Sequence, residues 1–110
     1  MQLIVQKFGG SSVGDVEKLK NVARRVAAKK REGNRMVVVV SAMGDTTDEL
    51  IELAHGISPD PSDREMDQLI STGEQISSAL LAMALHAEGE EAISLTGDQV
   101  GIFTDESYTK

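Results

Sequence analysis

Cysteine and tryptophan are absent from this 110-residue sequence, and only 3% of its residues are aromatic. The absence of cysteine excludes disulfide bonds and thiolate metal sites and fits a reducing compartment, so we expect a cytoplasmic protein. Because aromatic residues are scarce, the core must be built from aliphatic side chains and methionine. No apolar run approaches the ~18 residues of a membrane span, and the N-terminal residues lack the pattern of a signal peptide. The sequence therefore predicts no membrane partner.

Positive charge is also scarce. The sequence has 11 lysine and arginine residues against 18 aspartate and glutamate residues, which gives a net charge of −7. This balance argues against a nucleic-acid partner. The basic residues between positions 24 and 31 lie on and beyond the polar face of a predicted helix, and we interpret them as solvated charges. A protein of this composition that binds polyphosphate must concentrate its positive charge locally or obtain it from Mg²⁺.

Hydrophobic spacing predicts alternating strands and helices. The predicted strands lie near 2–7, 36–40, 91–95 and 100–104, and the predicted helices near 15–31, 46–56 and 62–87. Ser12, Thr46 and Ser62 each precede an acidic residue by three positions, which is the spacing of a capping box. The apolar run from Met36 to Val40 is typical of a strand that is buried on both faces. This order of elements predicts an α/β fold with parallel strands and helices packed on the sheet.

The first strand-to-helix junction holds a candidate phosphate-binding loop. Lys7, Gly9 and Gly10 follow the apolar part of the first strand, and the hydroxyl residues Ser11 and Ser12 come next. Glycines let a backbone approach a phosphate closely, and the N–H groups of a helix's first turn can point at the anion. Lysine adds a point charge on a flexible stem. The alternative interpretation is a tight glycine turn beside a solvated lysine at the end of a strand.

A second junction and a glycine inside the long helix hold further candidates. Ser41 ends a strand, and Thr46 and Thr47 begin a helix, whose capping is the simplest role for Thr46. Both junctions lie at the carboxyl ends of parallel strands, which is the edge where such sheets bind ligands. Gly73 falls on the apolar face of its helix, which predicts close packing, and Glu74 borders that face. Glu74 is therefore either a partner for a cation or a solvated flank residue.

Four segments of the sequence resemble the motifs of the aspartokinases, in the same order and across essentially all 110 residues. They are KFGGSSV at 7–13, VVSAMGDTTD at 39–48, REMD at 64–67 together with STGEQIS at 71–77, and LTGDQVGI at 95–102. Each motif alone is weak evidence, but four in sequence are strong. Related kinases that form acyl phosphates from glutamate or acetylglutamate are a weaker match, because Thr46-Thr47 and Gly73-Glu74 argue against them.

The resemblance implies the amino-acid-kinase fold, in which a mostly parallel sheet is sandwiched between helices. It implies transfer of the γ-phosphoryl group of ATP to the side-chain carboxylate of L-aspartate with Mg²⁺ present, the first step towards lysine, threonine and methionine. Lys7 would lie on the transferring phosphoryl group, where charge develops in the transition state, and Glu74 would contact the α-amino group of aspartate. No residue is expected to ligate a metal. The other implied site residues are Phe8, Gly9, Gly10 and Ser11 for the nucleotide, together with Lys7, and Ser41, Thr46 and Thr47 for aspartate.

The length of the sequence limits what the resemblance implies. An aspartokinase catalytic domain is much longer, so residues 1–110 are expected to form its N-terminal part, without the C-terminal half and the regulatory domains. The isolated chain is then expected to be inactive. Its incomplete sheet is expected to form homo-oligomers or to associate with the missing half. The alternative is a non-catalytic phosphate- or nucleotide-binding or assembly module of the same fold.

Overall fold

Two strands and three helices form the described part of the chain. The computed structural model describes residues 2–96 and residue 99. The elements in chain order are β1 Leu3–Phe8, α1 Val16–Arg31, β2 Arg35–Val40, α2 Thr46–Ile57 and α3 Asp63–Ala87. All five were predicted from the sequence to within two residues at each end. The predicted strand at 100–104 and most of the fourth motif lie outside the described residues. None of the helices described is both long and apolar enough to cross a membrane.

The strands β1 and β2 are parallel neighbours, with Leu3 opposite Arg35 and Phe8 opposite Val40. The helix α1 connects them, because parallel strands cannot be joined by a tight turn. Side chains alternate between the two faces of a sheet, so the even-numbered residues of both strands share one face and the odd-numbered residues share the other. The predicted α/β fold with parallel strands and packed helices is confirmed.

The core lies between the even-numbered face of the sheet and the helices α1 and α3. Its buried cluster is aliphatic with one exception, as the low aromatic content requires. The members are Phe8, Val13, Leu19, Val22, Ala23, Val26, Val40, Leu81 and Leu85. Full burial of a leucine or valine side chain stabilises a fold by roughly 1.5–3 kcal/mol. This cluster therefore holds both helices on one side of the sheet.

The odd-numbered face of the sheet is not covered by any helix that the structure describes. Leu3 and Val5 are 60% and 63% exposed, and Val37 and Val39 are each 47% exposed. We call these four residues the uncovered face. The prediction that β2 is buried on both faces is therefore wrong for the described residues. An apolar run shows only that both faces of a strand are apolar, whereas burial depends on which distant element packs on each.

The helix α1 begins after Asp15, not after the predicted cap Ser12. The Asp15 carboxylate accepts a hydrogen bond from the Lys18 N–H at 2.8 Å, which satisfies one of the free donors of the first turn. Ser12 lies before the helix and donates its N–H to the Gly9 carbonyl at 3.0 Å in a turn. Capping-box spacing could not distinguish the two residues, because Asp15 is itself a strong cap.

Of the caps predicted for the other two helices, one is confirmed and one is wrong. Ser62 caps α3 as predicted, since its hydroxyl accepts a hydrogen bond from the Glu65 N–H at 3.2 Å. Thr46 is the first residue of α2 and does not cap it; the cap position is occupied by Asp45, whose side chain makes no capping hydrogen bond. The predicted cap at Thr46 is therefore wrong, and within the described residues no side chain caps the first turn of α2.

We expect the substitution Asp15→Ala to lower the free energy of unfolding of the chain by about 1 kcal/mol, because it removes the cap of α1. Ser12→Ala is the matched control, since no helix donor depends on the Ser12 side chain, and its effect should stay below about 0.5 kcal/mol. Urea denaturation followed by far-ultraviolet circular dichroism measures both values. A larger loss for Ser12→Ala than for Asp15→Ala would contradict the assignment of the cap.

No strand forms in residues 91–96, so the short strand predicted at 91–95 is wrong. A strand needs a neighbour to pair with, and within the described residues this segment has none. Its start is held by side chains instead. Arg31 donates to the Glu90 carboxylate at 2.9 Å and to the Glu88 carbonyl at 2.6 Å, and the Lys30 ammonium lies 3.4 Å from the same carboxylate. Glu90 therefore ties the segment after α3 to the end of α1.

Candidate functional site

The two strand-to-helix junctions lie side by side at the carboxyl edge of the sheet. The hydrogen-bond ladder continues past the strands, because the Ser41 N–H donates to the Phe8 carbonyl at 3.1 Å. Further along, the Gly44 N–H donates to the Gly10 carbonyl, also at 3.1 Å. We call residues 9–15 the first loop and residues 41–45 the second loop. The backbone thus holds the predicted phosphate-binding loop directly against the second junction.

The two adjacent glycines of the first loop have different surroundings. A Cβ atom at Gly10 would lie 2.9 Å from the carbonyl oxygen of Ala42 and 3.4 Å from that of Gly44. Both are backbone atoms, so the contact cannot be relieved by a side-chain rotation. A Cβ atom at Gly9 would meet no described atom within 4 Å. Gly10 is therefore enclosed by the second loop, whereas Gly9 borders open space in which a ligand can approach the backbone.

Lys7 and Phe8 are neighbours on β1 and point to opposite faces of the sheet. The Lys7 side chain is exposed on the same side of the sheet as the uncovered face. No ion pair joins it to a residue that the structure describes. The Phe8 ring lies in the core, with the Arg25 guanidinium 5.3 Å from its centre. Any contact between Phe8 and a nucleotide must therefore come from its main chain. Ser11 is exposed in the first loop.

The hydroxyl residues of the second junction line the carboxyl edge beside the first loop. Ser41, Thr46 and Thr47 are all partly buried, and Thr46 donates its N–H to the Met43 carbonyl at 2.9 Å. Hydroxyl groups can donate hydrogen bonds to a carboxylate without adding charge. Because the Asp45 side chain does not cap α2, the N–H groups of its first turn add further donors at the same edge.

The helix α3 approaches the second loop at Gly73. A Cβ atom there would lie 3.0 Å from the Cβ of Ala42 and 3.2 Å from the Cγ2 of Thr46. The predicted close packing at Gly73 is confirmed, and it explains a glycine that costs about 1 kcal/mol relative to alanine inside a helix. Glu74, the next residue, is exposed and forms no ion pair with another described residue.

Three predicted segments therefore meet at one edge of the sheet. The contacts run from Gly10 to the second loop through Ala42 and Gly44, and from the second loop to α3 through Gly73. An anion held by the backbone of the first loop and a ligand held by the hydroxyl groups of the second junction would be neighbours. The arrangement is chemically suited to bringing two polar substrates together.

Other candidate residues lie elsewhere in the fold. The described part of the chain contains no cluster of three or more histidine, aspartate or glutamate residues that could hold a metal ion. His86 Nε2 lies 2.8 Å from the Ala92 carbonyl oxygen, after the end of α3. Arg64 donates to the Glu65 carboxylate at 2.6 Å, at the start of the same helix. These contacts have local structural roles and do not involve the two loops.

Sequence reasoning missed the glycines that join the loops. A Cβ atom at Gly14 would lie 3.3 Å from the Gly10 carbonyl oxygen. Gly44 has a φ of +46°, in the left-handed region that glycine adopts without steric penalty. Both residues fit the contact between the loops, yet the sequence-based predictions gave roles only to Gly9, Gly10 and Gly73. The repetition of glycine in both junctions was the signal that could have revealed them.

Both the sequence and the fold resemble those of known proteins. The model of the amino acid kinase family matches residues 2–109. The aspartokinase of Geobacillus stearothermophilus is 61% identical to this chain over 108 residues, and aspartokinase 2 of Bacillus subtilis is 59% identical over 105 residues. The aspartokinase of Corynebacterium glutamicum is 56% identical over 108 residues. These matches cover 98%, 96% and 98% of this chain and 26% of each relative, so the chain spans about a quarter of their length.

The fold also resembles that of a solved structure. The crystal structure of aspartate kinase from Synechocystis matches with a TM-score of 0.83 and 59% sequence identity. The match covers 84% of this chain and 16% of that chain. The fold that positions the two loops is therefore shared with a solved structure over most of the present chain.

Proposed function

Because the chain belongs to the amino acid kinase family, we propose that it is the N-terminal part of the catalytic domain of an aspartokinase. The whole enzyme would transfer the γ-phosphoryl group of ATP to the side-chain carboxylate of L-aspartate and release 4-aspartyl phosphate and ADP. This reaction would be the first step in the synthesis of lysine, threonine and methionine. We assign it to the cytoplasm. The high identity to several aspartokinases over nearly the whole chain supports the proposal.

The observation that carries the proposal is the contact of the first loop, the second loop and α3 at one edge of the sheet. The Gly10 carbonyl accepts the Gly44 N–H, and Gly73 packs against Ala42 and Thr46. Phosphoryl transfer is catalysed mainly by positioning the two reactants and by stabilising the charge that develops between them. An edge that holds a phosphate loop and a set of hydroxyl donors in contact supplies the positioning.

The nucleotide would bind at the first loop. The N–H groups of Gly9, Gly10 and Ser11, with the main chain of Phe8, would surround the phosphates, and Gly9 has the open surroundings that a close approach needs. The Lys7 ammonium would contact the transferring phosphoryl group. Its positive charge would oppose the negative charge that spreads over the equatorial oxygens in the transition state.

Aspartate would bind beside the nucleotide, on the second junction and α3. The hydroxyl groups of Ser41, Thr46 and Thr47 would donate hydrogen bonds to its carboxylates. The Glu74 carboxylate would accept hydrogen bonds from its α-amino group, and such charge-assisted bonds are stronger than neutral ones. Glu74 has the freedom to do so, because it is exposed and has no competing ion pair in the described part of the chain.

Mg²⁺ would enter with ATP. This cation keeps several waters and is commonly bound through one or two carboxylates together with substrate phosphates. We propose that the cation is held chiefly by the phosphates of the nucleotide. Mg²⁺ would supply part of the positive charge that a chain with a net charge of −7 has in short supply.

The uncovered face supports a partner for this chain. Four aliphatic residues from two paired strands are about half exposed or more on one side of the sheet. Contiguous apolar surface of this kind marks an interaction site. We propose that the uncovered face associates with the C-terminal half of an aspartokinase catalytic domain, and that without this half it drives association between copies of the chain.

The test is the formation of aspartyl phosphate, trapped as the hydroxamate, in the presence of ATP and Mg²⁺. We expect no turnover from the isolated chain. We expect aspartate-dependent turnover from a chimeric enzyme in which this chain replaces the matching segment of the Geobacillus stearothermophilus aspartokinase. Mixing the chain with the rest of that enzyme should restore part of this activity. The substitution Val37→Asp in the uncovered face should abolish the gain on mixing, whereas Val16→Asp, at a valine on α1 that is 61% exposed against 47% for Val37, should not.

Three outcomes would contradict the proposal. Turnover by the isolated chain would show that the site is complete without a second half. A folded chimeric enzyme that hydrolyses ATP or binds nucleotide, but forms no hydroxamate with aspartate, would favour a non-catalytic nucleotide-binding or assembly module. Hydroxamate formation with glutamate or acetylglutamate in place of aspartate would move the proposal to another kinase of the same family.

A further inference from the structure

We infer that Gly10 is a positioning residue, which fixes the second loop against the first loop and so sets the separation of the two substrates. The inference rests on the proposed function. It gives Gly10 a second role, in addition to the phosphate contact proposed for its N–H group and for that of Gly9. The two glycines are adjacent in sequence, but only one of them is enclosed by the second loop.

The carbonyl group of Gly10 is the centre of the contact between the loops. Its oxygen accepts the Gly44 N–H at 3.1 Å, and Gly44 reaches this position with a φ of +46°. On another side, a Cβ atom at Gly14 would come within 3.3 Å of the same oxygen. The Cα of Gly10 faces the Ala42 carbonyl, at a distance that leaves no room for a methyl group. Side chains are thus excluded from the contact at Gly10 itself.

The second loop cannot easily move away from an enlarged residue 10. Ala42 and Thr46 are already packed against Gly73 of α3, where an added Cβ would lie 3.0 Å from the Ala42 Cβ. A methyl group at position 10 would therefore shift the whole second loop, with Ser41 at its start and Thr46 directly after it, or break the hydrogen bond to Gly44. Either change moves the proposed aspartate ligands relative to the proposed phosphate ligands.

Such a shift has a characteristic kinetic effect. Each substrate keeps its own ligands, so binding of either one alone changes little. The chemical step requires the attacking carboxylate and the phosphoryl group to be aligned, and a misplacement of about 1 Å can lower the rate by about 10²-fold. A change of a few tenths of an ångström at the loop contact should therefore reduce kcat more than it raises either KM value.

The experiment compares three alanine substitutions in the chimeric enzyme defined above. Gly10→Ala should lower kcat by about tenfold or more, with both KM values changed by less than about threefold. Gly9→Ala should instead raise KM for ATP, because the added methyl group occupies the space open to the phosphates. Gly56→Ala is the matched control, since its added Cβ meets no described atom within 4 Å and its backbone has no positive φ. It should leave kcat and both KM values unchanged.

A second readout does not depend on turnover. In the 110-residue chain, hydrogen exchange of the Gly44 amide should become about tenfold faster or more in Gly10→Ala, while the Ser41 amide, paired with Phe8, stays protected.

If Gly10→Ala does not fold, Gly14→Ala provides a milder displacement of the same carbonyl and should act in the same direction. The inference is overturned if the Gly44 amide keeps its protection, or if Gly10→Ala only raises KM for ATP as Gly9→Ala does. A folded but inactive parent chimera with a protected Gly44 amide that Gly10→Ala exposes would refute the proposed function and support only the role of Gly10 in fixing the second loop against the first loop.

Discussion

Replacing Lys7 with methionine in the chimeric enzyme is expected to lower kcat for aspartyl phosphate formation by about 10³-fold, with little change in KM for aspartate. The ammonium group would act on charge that develops only as the phosphoryl group transfers, so its loss raises the barrier of the chemical step. Methionine keeps the unbranched aliphatic stem of lysine, so the pairing of residue 7 with Val39 on β2 is retained. The loss of rate can then be assigned to the charge.

The matched control is Lys20→Met on α1. Lys20 is also exposed, and its contact with Glu17 at 3.6 Å is a surface ion pair worth at most about 1 kcal/mol. This variant should keep the parent kcat. Lys7→Arg tests geometry separately, because it keeps the charge but replaces a compact ammonium with a planar guanidinium, and we expect only partial activity. Equal rates for Lys7→Met and Lys20→Met would show that Lys7 is the solvated strand-end lysine of the alternative interpretation.

The strands and helices of this fold could be predicted because their signals are local. The apolar spacing of α1 at Leu19, Val22 and Val26 matches the face that it buries. Ser62 caps the N-terminus of α3, as its spacing to Glu65 indicates. Each of these features depends on residues within one or two turns of each other, so the sequence alone contains the information.

Predictions failed where the answer depends on residues far away in the chain. Val37 and Val39 have the apolar character of a strand buried on both faces, yet the described helices cover only the other face of β2. Residues 91–95 have the composition of a strand but no described neighbour to pair with. A strand's burial and pairing are properties of the sheet, and no local pattern specifies them.

In the candidate site too, some features could be predicted from the sequence and others depend on residues far away in the chain. That both junctions would lie at one sheet edge followed from the parallel topology, and Gly73 was correctly predicted to pack closely. The different surroundings of Gly9 and Gly10 could not be predicted, because they depend on the approach of the second loop from 30 residues further along the chain. A glycine pair indicates that another group approaches the backbone closely, but only the fold shows which group contacts each glycine.

Replacing Glu74 with glutamine is expected to raise KM for aspartate by about 10- to 100-fold and to leave KM for ATP unchanged. The reason is the loss of a hydrogen-bonded ion pair with the α-amino group, which contributes about 1.5–3 kcal/mol when one partner is charged. Glutamine has the same shape as glutamate, so the packing of the adjacent Gly73 against Ala42 and Thr46 is preserved. Initial rates measured as a function of each substrate separate the two KM values.

Succinate gives the sharper version of this test, because it has the carboxylates of aspartate without the α-amino group. If Glu74 binds that amino group, Glu74→Gln should reduce phosphorylation of aspartate but leave any slow phosphorylation of succinate unchanged, so that the preference for aspartate falls by about 10- to 100-fold. Glu52→Gln, at an exposed glutamate on α2, should alter neither rate. A parallel loss with both acceptors would mean that Glu74 supports the site as a whole and does not recognise the amino group. The ion pair therefore predicts a change in substrate preference, which a loss of stability alone would not produce.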